Sequence, residues 1–415
     1  MRNIYIFGVG KGKQALRRCL RDENVVILGY VDNAAEKYTD GVDGLPVVGI
    51  KNMLDDYDLI VISVMRYERI EEQLIEEGVD ERKIIRFFKM EDAVNPLYWD
   101  ILNAHSWRIE ALVYNYMQSV HYYIGNLKYE AADAIRKGEI HFPKILPPDM
   151  AIDKICKEGT SLVRFGDGEF ELLKKRARPR FQMVNDKLAL RLKEALQSNH
   201  NNIIIAIANN YGSLEKYTES TANDIRKYMT ERVRQEHMEL LDMEREYYDA
   251  FLSRPYLMYK DKQNARRRFE QIKKIWANRD VILIEGEFTR MGVGNDLLEQ
   301  AASVKRILAP TEQAFDKYDE ILQAAKKQDN KKLFLIVLGP TATVLAYDLA
   351  CCGYQAIDIG QVDNEYEWYL RGVEERCSIP YKYVHRINNT DIVRNYKLPD
   401  TDSRIYEEQI IYRIE

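Results

Sequence analysis

Two carboxylates one residue apart, Asp167 and Glu169, stand in the stretch Ser161-Leu162-Val163-Arg164-Phe165-Gly166-Asp167-Gly168-Glu169-Phe170. Leu162, Val163 and Phe165 read as a short buried strand that Gly166 interrupts. If the backbone stays extended beyond it, residues i and i+2 share a side, so Asp167 and Glu169 face one point. Two acids at the end of a buried strand repel each other in a low dielectric and need a cation, a proton or a basic partner. A hard divalent ion suits them, because Mg²⁺ or Mn²⁺ is typically held by one or two carboxylates with water and diphosphate oxygens completing the shell. The same pattern is also that of a solvated turn, and other residues have to decide between the two.

Three further stretches supply such residues. The apolar run Val281–Ile284 ends in Glu285-Gly286-Glu287 and continues into Thr289-Arg290-Met291-Gly292-Val293-Gly294-Asn295-Asp296 ahead of a helix. A hydroxyl, a guanidinium, two glycines and an Asn-Asp cap before a helix make either an anion cradle or a well-capped connection. Leu333–Leu338 leads likewise into Gly339-Pro340-Thr341-Ala342-Thr343. Gln355–Gly360 leads into Asp363, Glu365 and Glu367, set among Tyr366, Trp368 and Tyr369. One acid of that triplet can complete a metal shell and another can accept a proton. The basic run from Lys174 to Arg180 is either a guide for an anionic substrate or a solvated face.

Positioning these residues requires strands that end at one edge of a sheet, where ligands of open α/β folds bind. The spacing predicts a second, mixed α/β domain over 151–415, with a charged helical span over 218–254 and a last strand near Ile410–Tyr412. Before it, strands at Ile4–Phe7, Val25–Val31, Leu59–Val64 and Lys83–Phe87 alternate with helical patterns and predict a Rossmann-like parallel sheet over 1–90. Its first turn carries Gly8, Gly10 and Gly12, with Asp32 after the second strand, a spacing suited to a nucleotide. Lys13 replaces the third glycine of the usual fingerprint, so a live site and a retained scaffold or dimerisation domain are both open. Between the two domains, 91–150 reads as an aromatic-rich helical bridge closed by Pro143 and Pro147-Pro148.

At 415 residues the chain is too long for one core, and 46% hydrophobic with 31% charged residues is a globular composition. A net charge of -5 speaks against a general nucleic-acid binder. Five cysteines without metal-ligand spacing suit a reducing compartment, and no apolar run approaches the roughly 20 residues that span a bilayer. The expected location is cytoplasmic, with peripheral contact at the inner membrane face through a partner; a homodimer is compatible with this.

The blocks Arg164–Glu169, Glu285–Asp296, Leu338–Ala342 and Glu365–Trp368, in that order, resemble the GT-D-type glycosyltransferases, a family first catalogued as a domain of unknown function. The N-terminal stretch, with Gly8, Gly10, Gly12, Asp32-Asn33 and Gly44–Val47, resembles the Rossmann-like module of bacterial sugar-modifying enzymes. The resemblance implies a C-terminal Rossmann-like α/β domain of GT-D type that moves a sugar from a nucleotide diphosphate donor, a UDP-sugar, to a glycan, glycolipid or glycoprotein acceptor in surface polysaccharide or glycan synthesis. It implies a divalent metal, Mn²⁺ or Mg²⁺, at Asp167 and Glu169. The expected donor-binding residues are Arg164, Gly166, Thr289, Arg290, Gly292, Asn295 and Thr341. Arg290 is expected to neutralise the leaving diphosphate, and Glu367 or Glu365 to deprotonate the acceptor in an inverting transfer. Where relatives carry a His before the last acidic cluster this chain has Gln361, which cannot act as a base. That departure keeps a non-catalytic nucleotide-sugar-binding scaffold as the alternative. An NAD-dependent oxidoreductase lacks a Tyr-x-x-x-Lys pair in the first domain.

Overall fold

The β-branched runs become two all-parallel sheets in the computed structural model, which describes residues 1–89, 96–176, 181–387 and 390–415. The chain divides into two units, Met1–Ile140 and His141–Glu415. In the first, β1 (Arg2–Phe7), β2 (Val25–Val31), β3 (Val47–Val48), β4 (Leu59–Ile62) and β5 (Ile84–Arg86) lie in the order β3-β2-β1-β4-β5. The two central strands, β1 and β4, are apolar on both faces because helices cover both. The first glycine turn serves this packing. A Cβ on Gly12 would lie 1.9 Å from the Ser63 carbonyl oxygen, so the glycine lets the helix Lys11–Cys19 close onto the end of β4.

Of the stretch expected as a helical bridge from 91 to 150, residues 96–140 belong to the first unit and 141–150 to the second. Trp107 of the helix Ala104–Arg136 donates its indole N–H to the Phe87 carbonyl at 2.6 Å. Tyr114 stacks on Phe88 at 4.2 Å, and Glu110 takes a two-pronged ion pair from Arg18. Among the described residues no helix is long and apolar enough to cross a membrane.

The second unit holds β6 (Lys144–Leu146), β7 (Ser161–Phe165), β8 (Ile203–Ile207), β9 (Glu246–Asp249), β10 (Asp280–Gly286), β11 (Ser303–Ala309), β12 (Leu333–Val337), β13 (Gln355–Asp358) and β14 (Ile410–Arg413). They form one sheet in the order β14-β11-β10-β12-β13-β7-β8-β9-β6. The charged span 218–254, expected as helix throughout, ends in β9. Its sequence, Glu-Tyr-Tyr-Asp, buries Tyr247 and Asp249 alternately and pairs with β6 and β8, a period of two too short to read beside the helices before it.

The ladder between β7 and β13 is reduced to one pair, Leu162 opposite Ile357. Side chains make up the difference. Ser161 accepts from the Ala356 amide at 3.0 Å, and the Arg164 guanidinium donates to the Asp358 carbonyl at 2.8 Å and its carboxylate at 2.7 Å. Gly360, at φ +57°, makes room for that guanidinium, since a Cβ there would stand 2.2 Å from Nη2.

Glu285, fully buried in β10, pairs with Arg306 of β11 and also accepts from the Met291 amide at 2.8 Å, while Arg306 donates to the Met291 carbonyl at 2.9 Å. One ion pair thus ties two strands to the loop after β10. Arg306→Met leaves a buried carboxylate without its cation, and we expect a loss of about 3–5 kcal/mol, read as a lower denaturant midpoint.

Candidate active site

Residues just past the C-terminal ends of β7, β8, β9, β10, β12 and β13 enclose a cavity of about 330 Å³, within the size range of small-molecule sites. Its floor is the turn after β7. The chain does not stay extended there as the sequence suggested: a helix, Asp167–Leu173, begins at Asp167. Asp167 and Glu169 therefore occupy the first turn of a helix, where its dipole favours negative charge. Glu169 reaches back to accept from the Gly166 amide at 2.8 Å, half of a capping box. Both acids line the cavity. Burial pushes the Glu169 carboxyl up to about 7, the Gly166 amide pulling the other way.

Of the residues expected to bind a donor, Arg164, Gly166 and Thr289 lie on the cavity wall. Arg290, Gly292, Asn295 and Thr341 do not, and each has a structural task instead. Arg290, at φ +50°, turns its guanidinium onto the Tyr381 carbonyl. The Gly292 amide and the Asn295 side chain both donate to Asp363 at 3.0 Å. Thr341 is buried and donates to Gln182, which itself reaches the wall.

The acids expected as catalytic bases also have partners inside the protein. Neither Glu365 nor Glu367 lines the cavity, because the helix Val362–Leu370 turns both into the protein. Glu365 accepts from the Tyr256 and Leu257 amides at 3.1 and 2.9 Å. Burial raises its carboxyl, and those amides together with the charges of Arg254 and Arg376 oppose the rise. Burial also acts against charge on Glu367, yet Lys382 at 3.0 Å, Asn295 at 2.7 Å and the Tyr381 hydroxyl at 2.9 Å hold it below the usual carboxylate range. A carboxylate with both oxygens taken and its charge stabilised is a poor proton acceptor. Asp363, the third acid, does reach the wall but is paired with Lys382 at 2.7 Å.

Sequence reasoning missed Arg254, Arg376, His385, Asn210 and Asp224, all on the wall. Arg254 follows β9, so recognising that strand was the signal for it. Asn210 is 5% exposed, and its Oδ1 has no hydrogen-bond partner among the described residues, an acceptor left for a ligand's donor. The described part of the basic run is a staple: Arg176 binds Glu171 at 3.0 Å and Glu236 at 2.6 Å. Residues 177–180 lie outside the described residues. Gly8, Gly10 and Gly12 are absent from the walls of the cavity that Asp32 lines in the first unit. Asp32 turns back to accept from the Ala34 amide at 2.9 Å.

A parallel sheet whose strand ends deliver paired acids and guanidiniums to one cavity defines the class, and the comparisons agree. Residues 162–387 match the family described as "Glycosyltransferase GT-D fold", and residues 1–85 match "C2185-like, N-terminal". The chain belongs to the GT-D-fold glycosyltransferase family. It is 35% identical over 272 residues to "Probable glycosyl transferase Gly" of Streptococcus gordonii, a match covering 64% of this chain and 38% of that one. It is 34% identical over 274 residues to "Glycosyltransferase GlyD" of Streptococcus pneumoniae serotype 4 (strain ATCC BAA-334 / TIGR4), covering 64% and 32%. The match thus spans about a third of the length of these relatives. Among solved structures, one described as "The highly conserved domain of unknown function 1792 has a distinct glycosyltransferase fold" aligns with TM-score 0.61 and 34% identity, over 66% of this chain and 96% of that one. "A New Glycosyltransferase (DUF1792) from Streptococcus sanguinis" aligns with TM-score 0.61 and 30% identity, over 66% and 100%.

Behind the helix Asp167–Leu173, His237 stacks on Phe170 at 3.8 Å and sits between the Tyr211 and Tyr228 hydroxyls at 2.8 and 3.3 Å. Burial lowers its ring to about 4 from 6.5; Glu236 opposes this, and Lys174, Arg176 and Arg234 add to it. The unfolded chain binds the extra proton between these values, so stability falls as pH drops from 6.5 toward 4, by about 3 kcal/mol in all. Thermal melts across this window should show the slope in the parent protein and a flatter profile in His237→Phe.

Proposed function

We propose that the second unit transfers a sugar, with inversion, from a nucleotide diphosphate donor, a UDP-sugar, to a glycan, glycolipid or glycoprotein acceptor. The observation that carries this reading is the cavity at the C-terminal edge of the sheet, with Asp167 and Glu169 in a helix's first turn on one wall and Arg254 and Arg376 among the other residues around it. Among the described residues no three His, Cys, Asp or Glu side chains converge to hold a metal alone. Two hard carboxylates fit Mg²⁺ or Mn²⁺, which draw their remaining oxygens from water and a diphosphate. Asp167 and Glu169 would hold that ion, and it would supply Lewis-acid stabilisation of charge on the departing diphosphate.

The chain's own groups do the rest. Arg254 and Arg376, two of the guanidiniums on the wall, bind and orient the diphosphate, a task expected of Arg290 from sequence. Glu365 is a positioning residue for them, since it anchors the turn that follows Arg254. The unpartnered Asn210 oxygen accepts from a hydroxyl or N–H of the donor. Four carboxylates line the cavity. Asp167 and Glu169 are assigned to the metal and Asp363 is neutralised by Lys382, which leaves Asp224, on the exposed rim, to accept the acceptor's proton. Gln361 on the wall is the observation that favours the scaffold alternative, a protein that binds the donor without turning it over.

Donor hydrolysis and transfer, measured across UDP-, GDP- and dTDP-sugars with Mn²⁺, separate the readings. We expect turnover with a UDP-sugar that falls by about 10²-fold or more in Asp167→Asn and about 10²–10⁴-fold in Asp224→Asn. Glu169→Gln should lose activity while keeping its melting temperature, because Gln still accepts from the Gly166 amide and completes the cap. Donor binding by the parent protein with no turnover of any sugar nucleotide would establish the scaffold instead.

A further inference from the structure

The helix Ala104–Arg136 is 33 residues long, and Trp107 and Ala111 are its only buried side chains. Beyond Tyr114 it continues for some twenty residues, about 30 Å, with large apolar groups in the open: Tyr116 is 69% exposed, Tyr123 59% and Ile124 62%. Every residue from His121 to Glu130 is exposed. Local propensity is a weak reason for helix there. Tyr122-Tyr123-Ile124-Gly125-Asn126 strings together aromatic, β-branched, Gly and Asn residues, and helices of such composition depend on burying a face.

The spacing of that face identifies what buries it. Ile109, Val113, Tyr116, Val120, Tyr123 and Leu127 follow one another at intervals of 4, 3, 4, 3 and 4 residues, the a/d repeat of a coiled coil. Val113 and Val120 fall at a positions, where β-branched side chains favour two parallel strands. The flanking e and g positions from 112 to 126 hold Leu112, Met117, Ser119, Ile124 and Asn126, so two copies of the face meet without like charges opposed. We propose that a second copy of this chain covers the face, the two Ala104–Arg136 helices forming a parallel coiled coil.

The area suffices. Tyr116 and Tyr123 from two copies bury about 150–250 Å² each, roughly 600–1,000 Å² together. Ile109, Val113, Val120 and Leu127 raise the total past the ~1,200 Å² at which stable interfaces begin. The inference is independent of the sugar-transfer reading, since it concerns the first unit alone.

Light scattering on the full chain at micromolar concentration should give twice the chain mass. Tyr116→Glu with Tyr123→Glu, at positions exposed in one copy, should give the single mass with an unchanged melting transition. Val120→Cys should form an intermolecular disulfide on oxidation above the parent's background, because equivalent a positions meet in a parallel pair. Gly125→Cys, on the opposite side of the helix, should not. A single-mass parent protein, a double-mass species that survives the paired substitution, or crosslinking of residue 120 to the same chain's second unit would each overturn the proposal.

Discussion

The ammonium group of Lys382 holds the functional end of the second unit together. It is fully buried, 2.7 Å from Asp363 and 3.0 Å from Glu367, and Asn295 donates to both acids. Three segments far apart in the chain meet at this point: the loop after β10, the helix after β13 and the strap around Tyr381–Tyr383. Each contributes to the cavity wall, through Thr289, through Gln361 and Asp363, and through Tyr383 and His385. Two acids share one buried cation, with Arg371 at 3.4 Å and the Tyr381 hydroxyl taking up the remaining charge of Glu367. A buried charge stripped of its partner costs several kcal/mol, so the shared cation ties the three segments to one another.

Arg164 plays the corresponding part on the other side of the cavity. Its guanidinium reaches the Asp358 carboxylate, the Asp358 carbonyl and the Ser253 hydroxyl, joining β7 to β13 and to the turn after β9. Thr343 and the Gly360 amide also donate to the Asp358 carboxylate. Burial raises the Glu169 carboxyl to about 7 against the Gly166 amide and the charge of Arg164. A carboxylate raised in this way at a cavity wall is one that attracts a cation or a proton from outside.

Many strands were legible because runs such as Ile282–Ile284 and Leu333–Ile336 have the doubly buried apolar composition of parallel sheets, while β3 in the first sheet and β6 and β11 in the second were not read. The strand β9 was not legible, since its two tyrosines and two acids lie at the end of a long charged span. Asp167 and Glu169 line one cavity, but from a helix's first turn and not from the extended turn expected. An extended turn and a helix's first turn both bring them to the cavity, and sequence alone does not distinguish the two when glycines flank both acids. A helix turns about 200° between residues 363 and 365 and again between 365 and 367, so Asp363 and Glu367 share a face and meet Lys382 while Glu365 turns to the Tyr256 and Leu257 amides. What separates a structural from a reactive carboxylate is the partner it finds, and Lys382, fifteen residues past Glu367 in a loop of aromatics, carries no local sign of that partnership.

The first unit shows the same rule in the opposite direction, with apparent ligand-binding residues absorbed into the fold. Gly12 is consumed by contact with the Ser63 carbonyl, and Lys13 is consumed by Asp43 at 2.6 Å, beneath the Tyr30 ring and beside Arg17. Asp43, at φ +52°, is held down to about 2 by Lys13 first and Tyr30 next. The lysine at the third fingerprint position is buried and held against Asp43, which it shares with Arg17. The glycine turn acts as packing between helix and sheet.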